Sequence, residues 1–223
     1  MITHAMEDYL KAIYLLQKKG VEKISTSAIA QQMNVSAPSV TAMIRKLTSM
    51  GLLDHTSYQG VELTEGGEKI AKEIIRHHRL LELYLVEVMG FTWDKVHDEA
   101  DNLEHVISEE FEEKMSEVLG NPTTDPHGHA IPTKDGNLKE VPYEPLAEID
   151  SGSDVRVRRV NDDNPEMLRY LADLGLVPGA PVSVVTKEPF GGPLRLKVAQ
   201  TEHYIGREVA CNIFVELAGN ESC

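Results

Sequence analysis

Apolar positions recur along the first third of the chain at helical spacing. Leu10, Ile13, Tyr14 and Leu16 mark an amphipathic helix over residues 6–17, closed by Gly20. Ser25 or Thr26 caps a short second helix through Met33, which carries Ile29 and Ala30. Asn34-Val35 reads as a tight turn, and Ser36 as the N-cap of a third helix over 37–50. Pro38 falls in its first turn, where a missing N–H does no harm. Val40, Met43, Ile44 and Leu47 form its inner stripe, and Gly51 ends it. Leu52–His55 and Val61–Thr64 flank a Gly-containing turn at 56–60 and predict a hairpin. Helix, helix, turn, helix, hairpin is the order of a winged helix-turn-helix.

Beyond the hairpin, Ile70, Ile74, Leu81 and Leu85 give a long helix over 65–89, stopped by Gly90. Residues 93–119 read as helical again, with a break near Val106-Ile107-Ser108 and a stripe of Val96, Ala100, Leu103 and Ile107. Residues 121–146 are rich in Pro and Gly and read as a linker. The period then changes to two, in Val155–Arg158, Val182–Val185, Leu194–Val198 and Ile213–Val215, with one short helix over Leu168–Leu174. Four or five short strands joined by Gly/Pro turns predict a small β-barrel. The expected fold class is mainly α with a small β domain: a winged helix-turn-helix over 1–73, a helical domain with linker over 74–140, and a β-barrel over 147–219.

Composition narrows the class. Of the 223 residues, 41% are apolar and 26% charged, which excludes wholesale disorder and fibrous repeats. The net charge of −14 argues against a broadly basic nucleic-acid binder. The charge is uneven, however. Residues 1–75 hold eight basic and eight acidic side chains, whereas 76–120 hold four basic and twelve acidic ones. The candidate reading head is therefore neutral, and the acid lies elsewhere. No run of 18 apolar residues and no basic-then-apolar leader is present, so the expectation is a soluble protein away from membranes. Cys211 and Cys223 form no CxxC pair, which suits a reducing cytoplasm.

The acid has a pattern. On a helix at about 100° per residue, Asp101, Glu104 and His105 fall within about 80° of His97. Two imidazoles and two carboxylates on one face suit a divalent first-row metal, and the lack of thiolate argues against structural zinc. A solvated acidic face with incidental histidines is the plain alternative. His78 and Glu82 stand four apart on the preceding helix and point the same way. His78 also shares a row with Ile74, Leu81 and Leu85, where a histidine is as readily a core residue. Asp8 sits in the first turn of the first helix, which the helix dipole alone would favour. Asp125 and His127 lie in Asp125-Pro126-His127-Gly128-His129, which on spacing alone is a polar turn. On the third helix, Ser36, Ser39, Thr41, Arg45 and Lys46 suit phosphate contact and close approach to bases.

Met6–Leu10 with Ile13-Tyr14, Val35–Thr41, His78-Arg79-Leu80 with Glu82, Val96–Ala100, Glu104-His105, and Pro126-His127-Gly128 with Ile131-Pro132 together resemble the diphtheria-toxin-repressor family of iron- and manganese-dependent transcriptional regulators. The similarity runs over nearly the full length and is greatest to the manganese-responsive members with a C-terminal SH3-like (FeoA-like) domain. It implies a primary metal site of Asp8, Asp101, Glu104 and His105, and an ancillary site of His78, Glu82 and His97. Asp125, His127 and Asp162 can join or replace some of the latter. It also implies DNA contacts from Ser36, Ala37, Pro38, Ser39, Thr41, Arg45, Lys46 and Tyr58. Asp8 and Asp101 replace sulfur ligands of the iron-type members, and hard oxygen favours Mn²⁺, with Fe²⁺ also accepted and Zn²⁺ able to bind in vitro. Lys11 stands where the two-domain manganese regulators carry an acid, which disfavours a two-metal cluster.

The expected function is a homodimeric, metal-activated repressor that binds a palindromic double-stranded operator and controls metal uptake. A metalloenzyme is disfavoured by the lack of a nucleophile, a His-Glu-x-x-His motif or a separate general base. A winged-helix sensor of a small organic ligand is disfavoured by an aromatic content of 5%, which leaves little to line an apolar pocket.

Overall fold

The computed structural model describes residues 2–21, 23–56, 60–139 and 141–218. It divides into two compact units. The first comprises Met1–His78, Leu103–Ser108 and Pro132–Leu138, and the second Arg79–Asn102, Glu109–Ile131 and Lys139–Cys223.

The first unit begins with α1 (His4–Lys18), α2 (Thr26–Gln32) and α3 (Ala37–Ser49). Their starts follow from local chemistry. Ser25 Oγ accepts from the Ala28 amide at 3.1 Å, and Ser36 Oγ accepts from the Ser39 amide at 3.4 Å, which satisfies donors that the first turns leave open. Strands β1 (Leu53–Thr56) and β2 (Gly60–Leu63) pair antiparallel, and Val61 N–H donates to Ile24 O at 3.1 Å. Met6, Leu10, Ile13, Ile29, Val40, Leu47 and Leu53 fill one core, with Ile75 added by α4 (Glu65–Glu87). This is the winged helix-turn-helix that the hydrophobic pattern implied. Tyr58 and the rest of the hairpin tip, 57–59, lie outside the described residues, as does Cys223.

The break after α5 (Val96–Leu103) comes earlier than the periodicity suggested. Glu104 and His105 occupy a turn, and α6 (Glu109–Val118) starts afterwards. At the break Val106 N–H donates to Leu103 O at 3.0 Å, the tighter i→i−3 bond that closes a helix end. His77 Nδ1 donates to the Glu104 carbonyl at 2.9 Å, so that carbonyl is engaged by a side chain. The helical-wheel placement of Glu104 and His105 beside His97 is therefore superseded by a turn.

In the second unit, the β domain holds a six-stranded antiparallel sheet of order β3-β8-β4-β5-β6-β7. The strands are β3 (Glu144–Pro145), β4 (Asp154–Val160), β5 (Pro181–Lys187), β6 (Leu194–Val198), β7 (Thr201–Ile205) and β8 (Ile213–Leu217). Period-two alternation in β4 fails at Arg158-Arg159, and a register shift between Val157 and Arg159 absorbs the extra residue. Val155, Val157 and Val160 thus all reach the core, with Leu168 and Leu171 of α7 (Pro165–Asp173). Residues 121–131, expected as a plain linker, are ordered by a Thr124–Ala130 bridge and by Val160 N–H donating to His127 O at 2.9 Å.

Gly67 shows how closely the first turn of α4 approaches Leu52, the residue that leads into β1. A Cβ there would meet the Leu52 carbonyl oxygen at 2.1 Å. Gly67→Ala should therefore destabilise the protein by more than 1 kcal/mol in urea unfolding. Helix propensity alone would favour alanine by about 1 kcal/mol, so a stabilised variant would refute the close approach.

Candidate metal centres and nucleic-acid interface

In the first unit, Asp8, Glu104 and His105 converge. One ligand atom from each lies within 4.8 Å of the others. Asp8 is carried by α1, and the other two by the turn after α5. His105 Nε2 stands 2.7 Å from Asp8 Oδ1 and 3.6 Å from Glu104 Oε1. On the other side of the ring, Nδ1 donates to Glu7 Oε2 at 2.7 Å. Glu7 thus orients the imidazole so that Nε2 faces the two carboxylates, as carboxylates do behind metal-bound histidines. Burial raises the Asp8 carboxyl above its ordinary pKa, against the opposing pull of His105.

Glu104 is almost wholly buried and strongly engaged. Lys11 Nζ donates to both of its oxygens, at 3.0 and 2.7 Å, and lies 3.0 Å from His78 Nδ1. His78 Nδ1 is also 2.5 Å from Glu104 Oε2. His78 therefore faces the acid of the first unit.

The second unit holds another group. Ligand atoms of Glu82 on α4, His127 in the 124–130 loop and Asp162 after β4 also lie within 4.8 Å of one another. His127 is fully buried, and its ring stacks on Trp93 at 5.6 Å. Its Nε2 donates to the Trp93 carbonyl at 2.9 Å. In the neutral ring that bond leaves a lone pair on Nδ1, which is buried without a hydrogen bond and lies 3.6 Å from Glu82 Oε2. A nitrogen donor so placed, between carboxylates and away from water, fits a hard or borderline divalent cation. Burial would lower the His127 pKa, but Glu82, Asp125 and Asp162 outweigh it and push it up to about 9.

Asp125 serves the loop. Its Oδ1 accepts from the His127 and His129 amides, both at 2.9 Å. Burial opposes its ionisation, yet His129, helped by Arg79, holds its carboxyl below the ordinary range. His97 stands 3.3 Å from Glu82 Oε1 and 3.6 Å from Asp101 Oδ2, with both His97 and Asp101 about half exposed. Asp101 is thus placed beside His97 in the second unit.

On α3, Ser36, Ala37, Pro38, Ser39, Thr41, Arg45 and Lys46 are all exposed, while Val40, Ile44 and Leu47 face inward. Ser36 and Ser39 hydroxyls share a hydrogen bond at 2.8 Å, and Thr41 Oγ1 donates to Ala37 O at 3.0 Å. The helix N-terminus and its hydroxyls form a face open to a phosphate backbone.

Glu7, His77, Trp93 and His129 went unassigned in the sequence. Glu7 carries the one available signal, an acid adjacent to a candidate ligand. The Trp93 contribution is a backbone carbonyl, which no residue type reveals.

A winged-helix reading head together with buried carboxylate–imidazole groups defines a DNA-binding regulator with cation-binding chemistry. The comparisons agree. Residues 1–61 match the iron dependent repressor N-terminal DNA binding domain, 64–133 the iron dependent repressor metal binding and dimerisation domain, and 144–217 the FeoA domain. The iron-dependent repressor IdeR of Mycobacterium leprae is 34% identical over 222 residues, covering 94% of this chain and 96% of that one. A manganese-dependent transcriptional repressor in complex with manganese superposes with a TM-score of 0.87 at 36% identity, over 96% of this chain and 100% of that one. ScaR with bound Zn²⁺ gives 0.78 at 36% identity, over 95% and 98%. The chain belongs to the iron-dependent repressor family, which includes the diphtheria toxin repressors. Its members are transcriptional repressors and not enzymes. No helix among the described residues is long and apolar enough to cross a membrane.

The raised His127 pKa has a direction in stability. Relative to about 6.5 in an unfolded chain, the imidazolium stabilises the fold fully below pH ~6.5, and the contribution is lost as pH rises through about 9. Chelator-treated protein should lose up to ~3 kcal/mol from this source across that window. Denaturation at stepped pH should show a shallower decline for His127→Gln; equal slopes would overturn the assignment.

Proposed function

We propose that this chain is a homodimeric repressor whose binding to a palindromic operator is switched on by a divalent metal, Mn²⁺ foremost and Fe²⁺ second. The carrying observation is the Asp8–Glu104–His105 group, with His105 braced by Glu7. Oxygen and nitrogen donors without sulfur suit both ions, and Zn²⁺ accepts the same set. Relatives are named for iron and for manganese, and neighbouring structures hold manganese, zinc or cadmium. Glu82, His127 and Asp162 are the residues that would hold a second ion.

The switch is electrostatic. Without a cation, Lys11 and His78 compensate Glu104, and a single imidazole, His105, is left to face Asp8 and Glu7, so the acid between α1 and the 103–108 turn is only partly balanced. A divalent ion compensates that charge and fixes α1. Through Met6, Leu10 and Ile13, α1 belongs to the same core as Val40 and Leu47 of α3. Holding α1 therefore holds the recognition helix. Ser36, Ser39, Thr41, Arg45 and Lys46 would then meet the duplex. The turn belongs to the segment that matches a dimerisation domain. Exposed Val88, Met89, Phe111 and Val118 of the same segment supply apolar surface for a partner copy. A twofold dimer presents its two recognition helices to half-sites about 34 Å apart or a multiple of it. By linkage, operator DNA tightens metal binding as metal tightens DNA binding.

Two variants test this reading by gel shift on a palindromic operator and by calorimetric metal titration. Asp8→Ala should keep its fold and dimeric state but lose at least tenfold of the Mn²⁺-dependent gain in DNA affinity. Activation at the wild-type Mn²⁺ concentration would refute the role of Asp8. Lys11 competes for Glu104, so Lys11→Met should bind Mn²⁺ more tightly, by about tenfold, the equivalent of ~1.4 kcal/mol. Unchanged or weaker binding would show that Lys11 does not oppose the metal.

A further inference from the structure

His129 belongs to neither ligand group, yet its placement is tightly specified. The 125–129 loop closes on itself through Asp125 N–H to His129 O at 3.0 Å and Gly128 N–H to Asp125 O at 3.1 Å. Asp125 Oδ1 adds the His127 and His129 amides. The loop is pressed onto β4. Gly128 has φ +90°, and a Cβ there would meet Arg158 O at 2.0 Å. With both of its backbone polar groups held, His129 projects its ring between two carboxylates from distant parts of the sequence. Its Nδ1 lies 3.3 Å from Asp125 Oδ2 and 3.7 Å from Asp162 Oδ2.

Asp125 Oδ2 is buried without a hydrogen bond, although it lies near His129 and 3.7 Å from Arg79 Nε. Asp162 is the least buried member of the second cation group and sits on the 161–164 loop. A carboxylate on a loop needs a partner to hold its direction. Glu82 and His127 already have rigid supports, a helix and the Trp93 carbonyl. For Asp162, the neighbour placed to do so is the His129 ring, whose Nδ1 stands 3.7 Å from Oδ2, just outside hydrogen-bond length and within reach of a small carboxylate rotation.

We propose that His129 is a positioning residue for the Glu82–His127–Asp162 cation site, holding the Asp162 carboxylate toward His127 without itself ligating the ion. The proposal rests on the reading of that group as a divalent-cation site. The chemistry needed is one N–H donor at the Nδ1 position, which asparagine can also supply and leucine cannot.

The test uses the full-length protein in an Asp8→Ala background, which disables the other site, with Mn²⁺ uptake followed by electron paramagnetic resonance. The background should bind one Mn²⁺, and addition of His127→Gln should abolish it. Failure of the background to bind would overturn both the site and the role of His129. Given binding, His129→Leu should weaken affinity by about 10–100-fold, the usual range for residues that orient ligands. His129→Asn should restore it to within about threefold. Equal affinity in His129→Leu would overturn the proposal while leaving the site intact. A loss in His129→Asn as large as in His129→Leu would also overturn it, because it would make the ring a ligand or a packing element. Thermal melts of the metal-free variants separate misfolding from lost positioning, and His129→Asn carries the comparison if His129→Leu does not fold.

Discussion

Burying a carboxylate away from water costs several kcal/mol unless opposite charge or hydrogen bonds replace the solvent. The chain accepts this cost in both units. The Glu104 and Glu82 side chains are each 1% exposed, and so is that of Asp125. In the first unit the compensation comes from Lys11 and His78, closed directly onto Glu104. In the second it comes from His97 and His127 around Glu82, and from His129 and Arg79 around Asp125. These arrangements use histidine heavily, and histidine is the cation that can give up its proton to become a metal donor. A fold that merely needed neutral interiors would bury leucine in these places. Retaining acid and imidazole there is costly as structure and suits the proposed cation sites.

Groups that touch no ion set the precision of such sites. Glu7 turns His105, the Trp93 carbonyl turns His127, and His77 holds the Glu104 carbonyl. Glu104 and His105 themselves lie in a turn beyond the end of α5. Were α5 to continue through them, the helix register would dictate their directions. Ending the helix at Leu103 frees both side chains to face Asp8. Gly128 performs the comparable task for the 124–130 loop, because only a residue without Cβ can sit that close to Arg158 O.

Legibility in the sequence followed the physics of each region. The reading head was accessible because capping serines, a first-turn proline and 3.6-residue periodicity all agree at α2 and α3. The β domain was legible where valines alternate, as in β4 and β5. It was not at β7, where Thr201–Ile205 is largely polar and half exposed, nor at the two-residue β3. Residue types pointed to a cation site, and Asp8, Glu104 and His105 do meet. The geometry was not accessible, since a helical wheel presumes a helix and Glu104 and His105 lie in a turn beyond α5. The loop at 124–130 reads as a linker because Pro and Gly signal irregular backbone; that its amides are fully employed is a tertiary fact.

The charge distribution bears on why a metal switch is effective. Non-specific affinity for DNA grows with the number of phosphates that a protein neutralises. The face of α3 offers only Arg45 and Lys46 as cations, and residues 1–75 are neutral overall. A single reading head so built has little electrostatic hold on a duplex. On the proposed palindromic operator, useful affinity would come from two heads docking together, where the second contact benefits from the first. That gain exists only when the heads are held in one orientation, because freely reorienting heads dilute the effective concentration of the second. Weak basicity therefore transfers control from charge to geometry, and geometry is what a cation bound between α1 and the 103–108 turn can fix.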